Sequence, residues 1–271
     1  MKNILFIVLS ISINVSLIGQ TLSQEVDSNK LGIQQSITIE LPDSYNQDHA
    51  KKYPLILVLN SEYLFNPVIG LADYHAYVGE MPESIVVGID KSNSKNIGDN
   101  NGKPHLVESD YYDFIVSDLL PYMHTHFKTN GFNVIIGDDN FTDLIVSFLF
   151  SESPVFQACV NLNPIVTPEV SKDLIERAKS HTNKVSYYMA ASSIDSAPVN
   201  STLKSTVEAL ENVENDYFSF NYDDFHNTSQ HNVVLRGIPR ALEKVFDKSQ
   251  VIIGGANSFK VYGYEDSLGD E

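Results

Sequence analysis

The stretch Asn133-Val134-Ile135-Ile136-Gly137-Asp138-Asp139-Asn140-Phe141-Thr142 constrains this chain more than any other. A short apolar run stops at a glycine, two adjacent acids follow, and an apolar segment resumes with Leu144, Ile145, Phe148 and Leu149. That order reads as a buried strand, a tight turn and a helix.

The rest of the chain repeats the alternation. Ser36 to Leu41 alternates as a half-buried strand, with Ile37, Ile39 and Leu41 on one face. Pro54 to Leu59, Ile85 to Ile89 and Val134 to Ile136 are continuous apolar runs, as strands covered on both faces require. Ala158 to Leu162, Val185 to Ala190 and Tyr217 to Tyr222 complete the strand set. Helical spacing is expected over Tyr111 to Phe127, Asp143 to Phe150, Pro168 to Lys179, Leu203 to Val213 and Val233 to Phe246. Strands alternating with helices predict an α/β fold: a doubly wound, mostly parallel sheet in three layers. Gln24 to Ile33 reads as polar and loose, and Lys91 to His105 as the longest loop.

Within 271 residues, Met1 to Ser23 reads as a secretory signal: Lys2 opens it, an interrupted apolar stretch follows, and Gly19 and Ser23 offer cleavage positions. The apolar part is too short and broken for a membrane span. The expected organisation is a signal peptide over residues 1–23, one domain over 34–247 and an unassigned tail over 248–271. The expected location is periplasmic or extracellular. A formal charge of −17 argues against nucleic acid and anionic membranes as partners, since both need a basic footprint. Cys159, the single cysteine, sits among Phe156, Ala158 and Val160 and reads as a buried small hydrophobe.

The order of motifs resembles the bacterial putative-esterase branch of the α/β-hydrolases, the enterochelin-esterase and esterase-D-like proteins. Leu41-Pro42-Asp43-Ser44-Tyr45 looks like that family's early LPxSY, and Tyr53 to Leu59 resembles its YPvlyvLDG strand. Pro82 to Ile89 looks like PexIvVGI, Asp118 to Tyr122 like ELiPyi, and Ile238 to Leu242 like the helix after the catalytic histidine. The likeness runs from Ile37 to Phe246. It implies a nucleophile elbow at residues 137–142, then an acid, then a histidine base.

The chain departs from the family at the reacting positions. Members usually read G-H-S-x-G-G, whereas this chain reads Gly137-Asp138-Asp139-Asn140-Phe141-Thr142. Asp139 takes the serine's place, and a carboxylate does not acylate on an ordinary ester as a serine does. Phe141 stands where a glycine serves the strained turn, which implies a relaxed turn or a filled pocket. The preceding strand ends in Leu59-Asn60-Ser61 rather than Leu-Asp-Gly, so Asn60, Ser61 and Asn140 are the pocket and oxyanion candidates. Lys91 to Asn96 lacks the family's arginine-rich stretch. Asp195 is the expected acid, and His231 or His226 the expected base. The Asp138–Asp139 pair predicts that one acid is harder to ionise.

Two functions follow. One is an exported, degenerate esterase kept for binding an ester-like small molecule or for a scaffold role. The other is an active hydrolase in which Asp139 attacks carbon, as in haloalkane dehalogenases and epoxide hydrolases, and a histidine activates water. Ser147, Ser151 and Ser153 sit at no strand–helix turn and are poor replacement nucleophiles. His124 and His126 diverge on a helix, and Asp99 to Gly102 lacks calcium-loop spacing, so no metal or other cofactor is expected. Oligomeric state is not specified by the sequence.

Overall fold

A computed structural model describes residues 20–28, 32–89, 110–152, 154–192 and 197–247. The expected leader up to Gly19, the Lys91–His105 loop, Ser153, Asp195 and the tail lie outside the described residues.

Eight strands form one sheet in the order β1-β2-β4-β3-β5-β6-β7-β8. They are β1 Gln20–Ser28, β2 Ile33–Leu41, β3 Tyr53–Leu59, β4 Ile85–Ile89, β5 Thr129–Asp138, β6 Ala158–Leu162, β7 Val185–Ala191 and β8 Phe218–Asp224. β1–β2 and β2–β4 pair antiparallel, and every other pair is parallel. The helices are α1 Ser61–Tyr77, α2 Asp110–Phe114, α3 Leu120–His126, α4 Thr142–Leu149, α5 Pro168–Ser180, α6 Ala197–Glu211 and α7 Gln230–Val245. A π-helical turn, Ile115–Leu119, joins α2 to α3.

Period-two alternation along each strand sends side chains to two faces, and helices cover both. Leu55, Leu57, Leu59 and Ile135 face α2 through α6, where Phe114, Ile145, Phe148, Leu174 and Val207 are buried. Ile56, Val58, Val134 and Ile136 face α1 and α7, which bury Leu64, Val68, Val233, Ile238 and Leu242. The expected three-layer α/β architecture is the observed one. Local signals fix the helix ends: Thr167 accepts from the Val170 N–H at 3.2 Å and Pro168 occupies the first turn, so α5 starts there.

Two regions differ from expectation. Gln24–Ser28, expected to be loose, belongs to β1, and Val26 and Ser28 are buried. Gln20 to Ser23, expected to lie in the leader, pair with Leu41 to Thr38 of β2, so the sheet extends N-terminally of residue 34. Helix α1 was not expected, because Pro67 and Gly70 interrupt its pattern. It forms because Leu64, Phe65, Val68 and Ala72 are buried against the sheet and α7.

Candidate functional site

β5 lies at the centre of the sheet, and its last residue is Asp138. A 3-10 turn, Asp139–Phe141, leads directly into α4. The strand–turn–helix reading of the sequence therefore holds, and residue 139 stands at the carboxyl edge, where parallel α/β sheets place their sites. Gly137 permits this because a Cβ there would come within 3.0 Å of Ile145 Cδ1 and 3.2 Å of Phe141 Cβ.

The turn itself is relaxed. Among the described non-glycine residues, Asn60, Asn163 and Asn227 have positive φ, and Asp139 does not. Asp138 is extended, with φ −122° and ψ −172°, and Phe141 has φ −105° and ψ 8°. No left-handed residue is needed at the tip, so a side chain at 141 carries no backbone penalty. Phe141 is 2% exposed and packs into the core on the α4 side. Thr142 Oγ1 donates to the Asp139 carbonyl at 2.9 Å and accepts from the Ile165 N–H at 3.0 Å, which ties the turn to the loop after β6.

Asp138 points away from solvent and is 3% exposed. Its carboxylate accepts from Asn60 Nδ2, which lies 3.3 Å from each oxygen. Burial, reinforced by the neighbouring Asp139 charge and opposed by the Asn60 hydrogen bond, pushes the Asp138 carboxyl up to about 6. The expectation that one acid of the pair ionises reluctantly thus falls on Asp138. Asn60 caps α1 in the left-handed conformation, φ 59° and ψ 53°. Its side-chain amide is thereby tied to Asp138. Ser61 opens α1 and is buried; its Cβ would lie 2.6 Å from a Cβ at Gly88, so this end of α1 sits directly on β4. The Asn140 side chain lies outside the described residues.

The base candidates separate. β8 is three strands from β5, roughly 14 Å at ordinary strand spacing. The loop after β8 turns back toward the centre. Phe225 N–H donates to the Ala191 carbonyl at 2.9 Å, and Asn163 Nδ2 donates to the Gln230 carbonyl at 3.0 Å. The start of α7 therefore lies against the loop after β6, and His231 is exposed in that first turn. His226 Nδ1 instead lies 3.3 Å from Asp224 Oδ2, with its side chain 71% exposed.

Asp224 was not anticipated, although an Asp-x-His spacing at a strand end could have signalled it. The expected acid, Asp195, lies outside the described residues. Of the serines weighed, Ser147 donates to the Asp143 carbonyl within α4, and Ser151 accepts from Tyr112 Oη at 2.9 Å. His124 contacts Thr129 and His126 contacts the Tyr122 carbonyl. Among the described residues, no cluster of His, Cys, Asp or Glu could hold a metal ion, and no helix is long and apolar enough to cross a membrane. Burial raises the Cys159 thiol far above its ordinary value, so it is no nucleophile.

The putative esterase family matches residues 28–139. No curated protein matches the chain. Among solved structures, an uncharacterised protein from Capnocytophaga ochracea is 27% identical with a TM-score of 0.76, over 84% of this chain and 64% of that one. The chain thus spans less than two thirds of that relative. An IroE-like serine hydrolase from Shewanella oneidensis is 20% identical with a TM-score of 0.73, covering 84% of this chain and 80% of its own. Ferric enterobactin esterase from Salmonella typhimurium is 14% identical with a TM-score of 0.63, covering 86% and 59% respectively. At those lower identities the likeness is one of fold. Together with the family match over residues 28–139 and the eight-stranded sheet, it makes this chain similar to putative esterases, on a fold of the α/β-hydrolase type.

Proposed function

We infer that this esterase-like hydrolase fold has given up serine-dependent acyl transfer and keeps its carboxyl edge to bind an ester-like small molecule, in an exported protein. One observation carries the reading: residue 139 is an acid on a relaxed turn, with Phe141 packed where the strained elbow needs a glycine. An attacking hydroxyl must be presented by that strained geometry and activated by a base. Both the atom and the backbone shape differ here. The chain's formal charge of −17 supports a small-molecule partner over nucleic acid.

The test is turnover of short-chain aryl esters by the purified protein. Negligible hydrolysis above the uncatalysed rate is expected. Hydrolysis that disappears in Asp139→Asn overturns the reading and makes Asp139 the working group.

A second reading is favoured by the Asp224–His226 pairing. There the Asp139 carboxylate attacks a carbon bearing a halide or an epoxide oxygen; the carbon–halogen bond breaks to release halide, or the epoxide C–O bond opens to an alkoxide that takes a proton from water, and a histidine then activates the water that hydrolyses the alkyl ester and frees the carboxylate. It predicts a mass increase on the peptide containing Asp139 after incubation with an alkyl halide or epoxide panel. An unlabelled peptide across the panel removes this alternative.

A further inference from the structure

We propose that the solvent face of α1 is a docking surface for a basic peptide segment of another protein, one that sets arginine or lysine beside apolar side chains. The proposal is independent of what residue 139 does, because α1 and α4 cover opposite faces of the sheet.

The inner face of α1 buries Leu64, Phe65, Val68 and Ala72. The outer face repeats at steps of four and three: Tyr63, Pro67, Gly70, Tyr74 and Tyr77 share one sector about 80° wide. Tyr74 and Tyr77 are 61% and 90% exposed, and Tyr63 and Val78 are exposed beside them. Gly70 leaves a notch in the row, since a Cβ there would meet nothing within 4 Å. Among the described residues no hydrogen bond reaches the three hydroxyls, and the Tyr74 ring touches His75 edge-on. None of the five stripe residues is a strong helix former, so helix stability does not account for them. Single exposed aromatics are ordinary, but three in one line around a notch suit an interface, where tyrosine is enriched.

The charges around the stripe have one sign. From Ser61 to Glu80 the chain carries Glu62, Asp73 and Glu80, and neither lysine nor arginine. His75 is buried, with Nδ1 2.7 Å from Glu80 Oε2. Asp73 has no cation beside it among the described residues. Partial burial, then the charges of Asp43, Glu40 and Glu83, raise its carboxyl above the ordinary value. A cation brought to this face would sit among carboxylates and over tyrosine rings. Arginine satisfies both, because its guanidinium pairs with carboxylates and stacks on aromatic faces. A second copy would set acids against acids on a chain of formal charge −17, and an anionic bilayer would be repelled in the same way. From Tyr63 to Tyr77 the stripe is about 21 Å long, the reach of roughly six or seven extended residues.

Hydroxyl-radical footprinting of the full chain, with and without a peptide of about eight residues made of arginine and leucine, tests this. Tyr63, Tyr74 and Tyr77 are expected to react in the free chain and to be shielded when the peptide is added, while Tyr217, exposed just before β8, stays unchanged. The same peptide, labelled with fluorescein, should bind about tenfold more weakly to the chain carrying Tyr74→Ala and Tyr77→Ala together. Asp73→Asn should weaken it about threefold, and Glu208→Gln, on the exposed side of α6 across the sheet, should leave it unchanged. Equal losses from Asp73→Asn and Glu208→Gln mean diffuse attraction and overturn the proposal. So does equal binding of a peptide with glutamine in place of arginine, or a footprint that the peptide does not change. Tyrosines shielded in the free chain at every concentration assign the face to another segment of the chain itself, and shielding that grows with concentration assigns it to a second copy; either overturns the proposal. The footprint of the unmodified chain decides the matter even where a variant does not fold.

Discussion

The two edges of the sheet treat the same chemical group in opposite ways. At the amino edge, Glu83 precedes β4 and meets Lys51 and the Ser44 hydroxyl, with Tyr53 Oη 2.9 Å from Ser44 Oγ. Lys51 and Lys128 lie over the Tyr53 and Tyr45 rings, at 5.3 Å and 4.6 Å from the centroids. Burial alone would raise the Glu83 carboxyl, but hydrogen bonds from Lys51 and Ser44 outweigh it and hold it below the ordinary value. At the carboxyl edge, Asp138 has an amide instead of a cation and a second acid beside it, and it is pushed up to about 6. One edge is built for stability. The other tolerates an unfavourable charge, which the well-packed centre of the sheet can sustain, and perturbed acids of that kind cluster where proteins do chemistry or binding.

The contrast can be broken most forcefully at Phe141. Phe141→Ala should cost about 3–5 kcal/mol in urea unfolding, because it empties a filled core position. A cost under about 1 kcal/mol would mean that the tip is not packed as described.

Next comes Asp138. Its folded-state pKa lies above the unfolded one, so its neutral form favours the fold at low pH. That contribution is lost as pH rises from about 4 through about 6. Asp138→Asn should therefore stabilise the protein by about 2–3 kcal/mol at pH 7.5 and by little near pH 4. Equal midpoints for the two proteins at pH 7.5 would remove the strain assigned to this edge.

Glu83 should behave with the opposite sign and a smaller size. Its carboxyl is held down, so its contribution is present above the unfolded pKa and fades as pH falls through the folded one. Glu83→Gln should cost about 1 kcal/mol at pH 7, a modest value because the pair is partly solvated, and almost nothing in strong acid. A larger penalty in acid than at neutral pH would invert the comparison. Smallest is Tyr53→Phe, expected to lose about 0.5 kcal/mol by thermal or urea unfolding, since Ser44 keeps Glu83 and Lys51 as partners.

Much of the scaffold was legible because its strands are buried on both faces and read as unbroken apolar runs. Ile85–Ile89 and Ala158–Leu162 were delimited to the residue. β1 was not, since an edge strand with Gln, Thr, Ser and Glu shows only a faint alternation. α1 was hidden by Pro67 and Gly70, and only tertiary burial makes it a helix. At the site, the order of residues located the turn and named Asp139. It could not reveal that Asn60 reaches Asp138, a contact spanning 78 positions. It also could not separate His226 from His231, because that depends on where the loop after β8 is pinned.

The Asn60–Asp138 contact has a consequence for how such a chain can change over time. The left-handed cap of one helix and the last residue before the turn are held by one shared amide–carboxylate bridge. An acid introduced at 60 alone would face another acid, and an apolar residue at 138 alone would strand a buried amide. Change at either position is therefore confined to residues that leave the other a polar partner, as Asp138→Asn does. A serine placed at 139 would sit on a turn whose footing is shared with the start of a helix on another loop.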